Sequence, residues 1–567
     1  MISFFNRATN SVAAAAFILA AATLLSSLFG LVRVRVLAGL LGAGQEYDIF
    51  LAAFRVPDFI FHIVLGGAIS VGFIPVFVEY FTKDKNEAWD IARSFFVLTA
   101  LATMVLAGVA FVLMPLLVDA IVPGFTDEQK GEVAMLSRIM LISPILLGMS
   151  AIFSGILHSL RKFVLYAIAP ILYNLGIIFG AVVFYPVWGI SGIAWGVALG
   201  ALLHISIQAV ASFNAGFRFA LPRKIFHTAV LRIIKLAVPR ALGLVAYHIN
   251  LLAITAIAST LAAGVLAIFS LASYLQYLPI SIIGTSFATA LFPALASAAA
   301  KHENATYLAH LSRALRNVMF LVLPASALIY ILRIYIVRIV YGTGAFDWED
   351  TRLTAATLGL FSFGIFFYAM TPLFAKAFYA RQNTRTPVLA TTAGFITNIG
   401  LAALFAYVVF PQGILVGGLA RMLRVEDLPD VSVLALPLAF SLSGVVALVL
   451  IASAFFKERR NRPIGPEVGN AFARIGLASI ITGLVAWVML QVFQGFGTLD
   501  TFTAVRIGLQ AGWALFISVG VYFLIALIFR FPELSVLRDL INTRFRKARI
   551  PKEHAPIHPE DQGSVSS

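Results

Sequence analysis

Long apolar segments separated by short polar ones run through the whole chain of 567 residues. A helix that crosses a bilayer needs about 20 mostly apolar residues, and fourteen segments reach that length. Several are longer, which predicts tilted, kinked or protruding helices. The pattern therefore predicts an all-α polytopic membrane protein with about fourteen transmembrane helices. The segments are 12–41, 48–81, 91–117, 133–158, 162–185, 187–213, 229–260, 263–298, 315–341, 352–380, 386–410, 430–456, 470–494 and 503–530.

The composition points to lipid as the main solvent of the chain. Hydrophobic residues make up 60% and charged residues 12%, with a mean hydropathy of +0.95. A soluble domain is about 45–50% apolar and about 25% charged. The first segment is too long for the apolar part of a signal peptide, and similar segments follow it, so we expect it to be retained. The absence of cysteine excludes disulfides, thiolate metal ligands and cysteine nucleophiles.

The net charge of +15 is spread over loops rather than gathered in one basic surface. This distribution is a topology signal and argues against a nucleic-acid partner. Alternate loops are rich in base, and the positive-inside rule then predicts that both termini are cytoplasmic, in the inner membrane of a bacterium. The base-rich loops hold Lys83, Lys85, Arg161, Lys162, Arg218, Arg223, Lys224, Lys301, Arg381, Arg385, Lys457, Arg459, Arg460 and Arg462.

Two segments resemble each other and suggest an internal repeat. Asn174 follows Arg161, and Asn398 follows Arg385, at the same spacing of thirteen positions, and a glycine comes two residues later in both. Chance similarity between apolar segments is the alternative, although the matched polar positions argue against it. The copies lie six segments apart, and an even offset preserves orientation, so the repeat is parallel.

This repeat predicts two six-helix bundles, 1–213 and 214–456, followed by two additional transmembrane helices in 457–530. The remainder, 531–567, is predicted to be a basic helix on the membrane surface, in contact with membrane lipids, and a disordered tail. Paired bundles of this kind enclose a cavity near the bilayer midplane and rock against each other. The organisation therefore favours a transporter.

Ionisable residues within the spans are candidates for function, because each costs about 2.5–3.5 kcal/mol to insert. Basic groups outnumber acidic ones, which indicates an anionic ligand, and the planar fork of arginine suits phosphate. We predict that Arg33, Arg55 and Asp48 face the cavity, with His62 and Arg240 as further substrate-binding candidates. For Asp48 two further interpretations are open to an equal degree: coupling to a cation, or a structural role as an ion-pair partner of either arginine.

Other residues are predicted to have structural or gating roles. Asn174 and Asn398 would hydrogen-bond between helices, and Pro57 and Pro279 would kink theirs. Lys376, within the tenth segment, and Arg381, at its inner end, complete this set. No catalytic constellation, metal-ligand pattern or phosphate-binding loop occurs in the sequence, so an enzyme is disfavoured and no cofactor is expected. Membrane potential or a monovalent cation gradient would then bias transport.

Several short motifs, in this order, resemble the MurJ (MviN) family of lipid II flippases, which belong to the multidrug/oligosaccharidyl-lipid/polysaccharide exporter superfamily. The likeness covers nearly the whole chain. The motifs are Phe29-Gly-Leu-Val-Arg33, Gly42-Ala-Gly44, Asp48, Phe54-Arg-Val-Pro57, Phe73-Ile-Pro75, Leu278-Pro279, Gly284-Thr-Ser, Ala288-Thr-Ala-Leu-Phe-Pro293 and Phe378-Tyr-Ala-Arg381-Gln-Asn-Thr-Arg-Thr-Pro387.

The resemblance implies transport of an undecaprenyl-pyrophosphate-linked precursor from the cytoplasmic to the periplasmic leaflet, for peptidoglycan synthesis and cell shape. It implies a cationic central cavity and a lipid groove at the last two helices, and contact with cell-wall synthesis proteins stays open. Ser27, Phe61 and Tyr274 stand where the family usually has cavity arginines. This departure keeps two alternatives open: export of another lipid-linked oligosaccharide, or multidrug export.

Overall fold

The computed structural model describes residues 12–65, 68–413, 415–495 and 504–535. These ranges form fourteen helical rods in the order of the apolar segments, where a rod is one long helix or the consecutive helices of one apolar segment. This confirms the predicted fold class. Lipid offers the backbone no hydrogen-bond partners, so each crossing segment satisfies its own as a helix. The helices are α1 Val12–Leu41, α2 Gln45–Leu65, α3 Ile74–Lys83, α4 Lys85–Ile121, α5 Asp127–Met140, α6 Ile142–Ser159, α7 Phe163–Phe179, α8 Tyr185–Trp188, α9 Ile190–Phe213, α10 Thr228–Ser259, α11 Val265–Pro279, α12 Ser286–Ala300, α13 Asn304–Tyr341, α14 Trp348–Ala380, α15 Arg385–Leu404, α16 Val416–Leu423, α17 Ala435–Lys457, α18 Gly465–Gly495 and α19 Ala504–Ile528.

Twelve helical segments of the described chain are long and apolar enough to cross a membrane by length and composition alone. The second rod, which contains α2 and α3, and the seventh, α10, are not among them, although the stretch Leu244–Ser259 of α10 is apolar. Both rods carry ionisable side chains along their length. In α2 these are Glu46, Asp48, Arg55, Asp58 and His62, and in α10 they include Arg232, Lys235 and His248. Arg55, Asp58 and His62 of α2 and His248 of α10 meet in the site described below.

Four π-helical segments interrupt the rods at regular places. Those in the second and eighth rods are Ala68–Phe73 and Ile280–Thr285. Those in the fifth and eleventh rods are Gly180–Phe184 and Phe405–Val409. Each pair is six rods apart, the offset that the Arg–Asn spacing predicted. Because π-helical turns are rare, their recurrence at this offset supports a parallel repeat of two six-helix bundles.

Helix α10 contacts both bundles. Its first half contributes Val230 and Ile233 to an apolar core that also contains Phe73, Phe77 and Ile91 of the first bundle. Its second half hydrogen-bonds to α15 through Asn250 and Asn398. Helix α10 thus begins against the first bundle and ends in the second. The predicted boundary at residues 213 and 214 stays a prediction.

The two bundles meet at the end that the loop charges predict to be outside the cell. Arg35 of α1 donates hydrogen bonds to the carbonyl oxygens of Ile339 and Val340, at the end of α13. The backbone N–H of Ala43 donates to Asp350 Oδ2 at 2.9 Å. Gly264 has a φ of +85°, and an added Cβ there would lie only 1.9 Å from the carbonyl oxygen of Ala43. A side chain at residue 264 would therefore force this end apart.

The last two rods pack against the second bundle. Tyr522 of α19 donates a hydrogen bond of 2.7 Å to the carbonyl oxygen of Phe320 in α13. Beyond α19, the buried Glu533 accepts a hydrogen bond of 3.0 Å from Arg474 of α18. Residues 536–567, which hold most of the predicted surface helix and the whole predicted tail, lie outside the described residues.

Candidate functional site

A cavity of about 370 Å³ lies between the first bundle and α11. Arginine, histidine, aspartate and hydroxyl side chains interrupt its apolar wall. Its polar lining consists of Arg33, Tyr47, Arg55, Asp58, His62, Ser143, Tyr173, Ser270 and Tyr274. Arg33 and Arg55, predicted from sequence as cavity residues, thus reach the same space from two consecutive helices.

Arg33, on α1, crosses the cavity to the second bundle. Its Nη2 atom donates a hydrogen bond of 2.8 Å to the Tyr274 hydroxyl on α11. A phenol is neutral at physiological pH, so this contact orients the guanidinium without cancelling its charge. Tyr274 therefore occupies a place where the resemblance implied an arginine, and it positions the arginine that remains.

Arg55, on α2, has a similar partner. Its Nε atom donates to Thr255 Oγ1 at 2.9 Å, and the Thr255 hydroxyl donates in turn to the Leu251 carbonyl oxygen at 2.8 Å. Thr255 is fully buried in α10. Thr255 thus holds Arg55 through a neutral hydroxyl, as Tyr274 holds Arg33.

Asp58, His62 and His248 form a compact group beside Arg55. Asp58 and His62 are one helical turn apart on α2, and Asp58 Oδ1 lies 3.3 Å from His62 Nδ1. His248 reaches in from α10, where its Nδ1 atom lies 3.8 Å from Asp58 Oδ2. His248 is buried, and nothing in the sequence around it indicates this neighbour.

Asp48 lies elsewhere. It is buried, and its carboxylate accepts hydrogen bonds of 2.7 Å each from the backbone N–H groups of Gly264 and Ala267. The first N–H groups of a helix have no intrahelical partner, and a carboxylate there also interacts favourably with the helix dipole. Asp48 therefore caps α11 at the junction of the two bundles. It does not line the described cavity, where it was predicted to lie, and it does not make the alternative pairing with Arg33 or Arg55.

The predicted structural and gating residues take several positions. Asn398 Nδ2 donates to Asn250 Oδ1 at 3.0 Å, between α15 and α10, whereas Asn174 Nδ2 donates to the Pro170 carbonyl oxygen of its own helix. Pro57 lines the cavity, and Pro279 directly precedes the π-helical segment Ile280–Thr285. Their gating roles stay predictions.

The remaining basic candidates lie outside the cavity lining or outside the described side chains. The Lys376 ammonium lies 4.9 Å from the centre of the Phe292 ring. Arg381 donates hydrogen bonds to Asn304, Glu458 and Asn461 at the end of the second bundle that the loop charges predict to be inside the cell. Arg240 belongs to α10, but its side chain lies outside the described residues, so its predicted role stays a prediction.

A second cavity, of about 630 Å³, adjoins the first inside the first bundle and shares Phe61, His62, Leu147 and Tyr173 with it. Sequence reasoning missed this chamber. Its polar lining includes Ser154, His158, Tyr166, His204 and Gln208. In the sequence these residues are polar positions scattered through the apolar fourth to sixth segments. They form no motif from which a cavity could be predicted. Ser27, the third departure from the resemblance, is exposed on α1.

Two helical bundles that meet at one end and enclose a polar cavity define the class of multi-pass membrane transporters. The sequence model described as "Lipid II flippase MurJ" matches residues 37–507. The chain therefore belongs to the lipid II flippase MurJ family, as the order of its motifs predicted.

Curated relatives agree with this assignment. "Probable lipid II flippase MurJ" of Rhizobium tropici is 30% identical over 410 residues, which are 69% of this chain and 75% of the relative. The protein of the same description from Rhizobium meliloti (strain 1021) is 32% identical over 396 residues, 67% of this chain and 73% of the relative. The "Lipid II flippase MurJ" of Burkholderia cenocepacia is 28% identical, over 65% of this chain and 73% of the relative.

Solved structures share the fold. "Lipid II flippase MurJ, inward closed conformation" superposes with a TM-score of 0.71 at 22% identity, over 93% of this chain and all of the other. An inward-facing multidrug resistance transporter of the MATE family has a TM-score of 0.62 at 16% identity, over 76% of this chain and 96% of the other. At these identities the likeness concerns the fold alone.

Proposed function

We propose that this chain is a flippase that moves lipid II, the undecaprenyl-pyrophosphate-linked peptidoglycan precursor, from the cytoplasmic to the periplasmic leaflet of a bacterial inner membrane. The observation that carries this proposal is the pair of cavity arginines, Arg33 and Arg55, whose hydrogen-bond partners are the hydroxyls of Tyr274 and Thr255. Guanidinium groups oriented by neutral partners keep their charge for a pyrophosphate. Membership of the family supplies the identity of the lipid.

The transport step is a rocking of the two bundles. In the described state they are joined at the predicted outer end by Asp48, Arg35 and Asp350. Release of the pyrophosphate to the outside requires these contacts to break, while the inner ends of the bundles approach each other. Both termini are cytoplasmic in this scheme, because the base-rich loops then face the cytoplasm.

Membrane potential supplies a driving force that needs no site for ATP. A negative charge that moves outward across an inside-negative membrane gains about 2.3 kcal/mol per 100 mV. The pyrophosphate therefore moves down the potential when it leaves the cavity on the outer side. The empty carrier returns with the positive charge of Arg33 and Arg55, which the same potential draws inward. A coupled monovalent cation would add to this bias.

The test is replacement of the native lipid II flippase of a bacterial host by this chain. We expect the wild-type chain to restore growth and cell shape, and Arg33→Ala to fail at equal membrane levels. Arg138→Ala is the matched control, because Arg138 is also an arginine within a rod, but it contacts the ring and backbone of Phe111. We expect this control to rescue growth.

A well-inserted wild-type chain that does not restore growth would contradict transport of lipid II. Export of another lipid-linked oligosaccharide would then be tested with the same variants, since Phe61 and Tyr274 make the cavity less basic than the resemblance implied. Failure of all three proteins at reduced membrane levels would instead report an insertion defect, which an epitope tag detects.

A further inference from the structure

The group of Asp58, His62 and His248 has the composition of a metal site. One ligand atom from each of the three residues can be chosen so that all three atoms lie within 4.8 Å of one another. Within the described part of the chain, this is the one group of three such side chains that could hold an ion. Two of the ligands come from α2 and the third from α10, so the group joins two helices that are far apart in sequence.

The distances suit tetrahedral coordination. Zinc binds histidine nitrogen and carboxylate oxygen at about 2.0–2.2 Å, so two ligand atoms of a tetrahedron are roughly 3.3–3.6 Å apart. Here Asp58 Oδ1 lies 3.3 Å from His62 Nδ1, and the other oxygen, Asp58 Oδ2, lies 3.8 Å from His248 Nδ1. The imidazole rings have centroids 4.6 Å apart, so a small ion between them needs little rearrangement.

The surroundings hold two of the ligands in place and leave one side open. The His248 ring packs edge-on against Phe59 and Tyr247, at 6.0 Å and 5.3 Å between centroids. His62 Nδ1 lies 2.9 Å from the backbone oxygen of Asp58; binding of a metal ion at Nδ1 would break this contact and leave the ring proton on Nε2. Asp58 and His62 line the central cavity, so a fourth coordination position would face it.

The charge of Arg55 opposes a cation here, and Asp58 offsets it. Arg55 lies one turn before Asp58 on α2, but its Nε atom is directed to Thr255. The carboxylate contributes one negative charge, and the two imidazoles are ligands in their neutral form. Arg55 therefore weakens the site without preventing it.

We propose that Asp58, His62 and His248 bind one divalent transition-metal ion of the Zn²⁺ class on the wall of the central cavity. Two imidazole nitrogens and one carboxylate oxygen are ligands that zinc accepts, with a fourth position left to water or an anion. This inference gains a role from the proposed function, because the bound ion would offer that position to a phosphate oxygen. Metal binding itself requires no lipid.

The test measures metal binding to the full-length chain in detergent. The chain is purified through an affinity tag that contains no histidine, and a chelator removes any bound metal beforehand. We expect one equivalent of Zn²⁺ by calorimetry. We also expect Co²⁺ to give the intense visible absorption of tetrahedral coordination. Loss of a residue that hydrogen-bonds to a metal ligand costs roughly 10–100-fold in metal affinity, and loss of the ligand itself should cost at least as much. We therefore expect Asp58→Asn, His62→Gln and His248→Gln each to weaken Zn²⁺ binding at least about tenfold.

His227→Asn is the matched control. His227 also lies beside a carboxylate, 3.4 Å from Glu87, but without a second histidine, and asparagine preserves its capping of α10. We expect this variant to bind Zn²⁺ like the wild type. Absence of Zn²⁺ binding to the wild type would overturn the proposal, and so would binding that all three ligand variants retain.

Folding of the ligand variants is checked by monodisperse elution and by an unchanged metal-free melting temperature. If one variant fails this check, the other two still decide the matter. The result is also separate from the transport test: a chain that binds Zn²⁺ but does not restore growth would leave the metal site standing and remove only its proposed role.

Discussion

The two sides of the central cavity contribute different chemistry. The first bundle supplies charged side chains, Arg33 from α1 and Arg55 from α2, and the second supplies the neutral hydroxyls that hold them, Tyr274 and Thr255. At the closed end a charge again meets a neutral partner: Asp48 accepts from backbone N–H groups at the start of α11, and Asp350 of the second bundle accepts from the backbone N–H of Ala43. Most polar contacts between the bundles at these places therefore join a charge to a neutral partner.

This division suits bundles that must separate. An ion pair in a low-dielectric site is costly to break, because each charge is left without a partner. A charge held by a hydroxyl or by a helix end can exchange that partner for a substrate phosphate or for water at lower cost. The first bundle would then recognise the anion, while the second would orient the recognising groups.

The sharpest test of this division compares Arg33→Ala with Tyr274→Phe in a lipid II flipping assay with reconstituted vesicles. Hydrogen bonds to charged groups contribute about 1.5–3 kcal/mol, so we expect the arginine variant to lose roughly ten- to a hundredfold in rate. The phenylalanine variant keeps the guanidinium and loses only its orientation, and we expect a loss of a few-fold. Equal losses in both variants would contradict the division.

The next largest effect is expected at Asp48. Asp48→Ala leaves two backbone N–H groups of α11 without their acceptor in a buried place, which costs about 1–3 kcal/mol in the free energy of unfolding. Thermal unfolding in detergent would measure the change. Asp84 is the matched control, because it also accepts from two backbone N–H groups, but on its own helix and in an exposed place. A smaller shift for Asp84→Ala is expected, and an equal one would argue against a special role for the junction.

The sequence predicted those features that depend on local pattern. The order of the rods follows from the apolar segments, although ionisable residues interrupt the second and the seventh. Arg33 and Arg55 could be placed in one cavity because they lie on consecutive helices. The six-segment offset also appeared in the sequence, through the spacing of Arg161 to Asn174 and of Arg385 to Asn398. The structure adds the four π-helical segments at the same offset.

Partners that are distant in the sequence could not be predicted. The acceptor of the Gly264 N–H group is Asp48, 216 residues earlier, and nothing in either segment indicates that they meet. The contact of His248 with Asp58 likewise joins two helices that are far apart in the sequence. In an apolar chain most helix faces are hydrophobic, so the pattern that orients a helix in a soluble protein is weak here.

The two copies of the repeat give a smaller test. Asn398 bonds to Asn250 on another helix, whereas Asn174 bonds to the Pro170 carbonyl oxygen on its own. Hydrogen bonds between transmembrane helices average about 0.6 kcal/mol in double-mutant cycles. We expect a coupling of that size between Asn250→Ala and Asn398→Ala, measured from the free energy of unfolding in detergent. The effects of Asn174→Ala and Asn250→Ala on the free energy of unfolding should be additive. Coupling between these two would show that Asn174, like Asn398, interacts with Asn250.

The smallest effect is expected outside the membrane, at an ion pair between two charged side chains. Arg352 donates two hydrogen bonds to Asp427, in a loop predicted to be outside the cell, and lowers the pKa of that carboxyl to about 2. Because the pKa is depressed, any stabilisation is present at neutral pH and is lost only as the pH falls towards 2. Exposed ion pairs contribute little, so we expect Asp427→Asn to leave both the melting temperature at pH 7 and lipid II flipping unchanged. A clear loss of flipping would place a needed charge pair in this loop, and the division between charged and neutral partners would then hold only within the membrane.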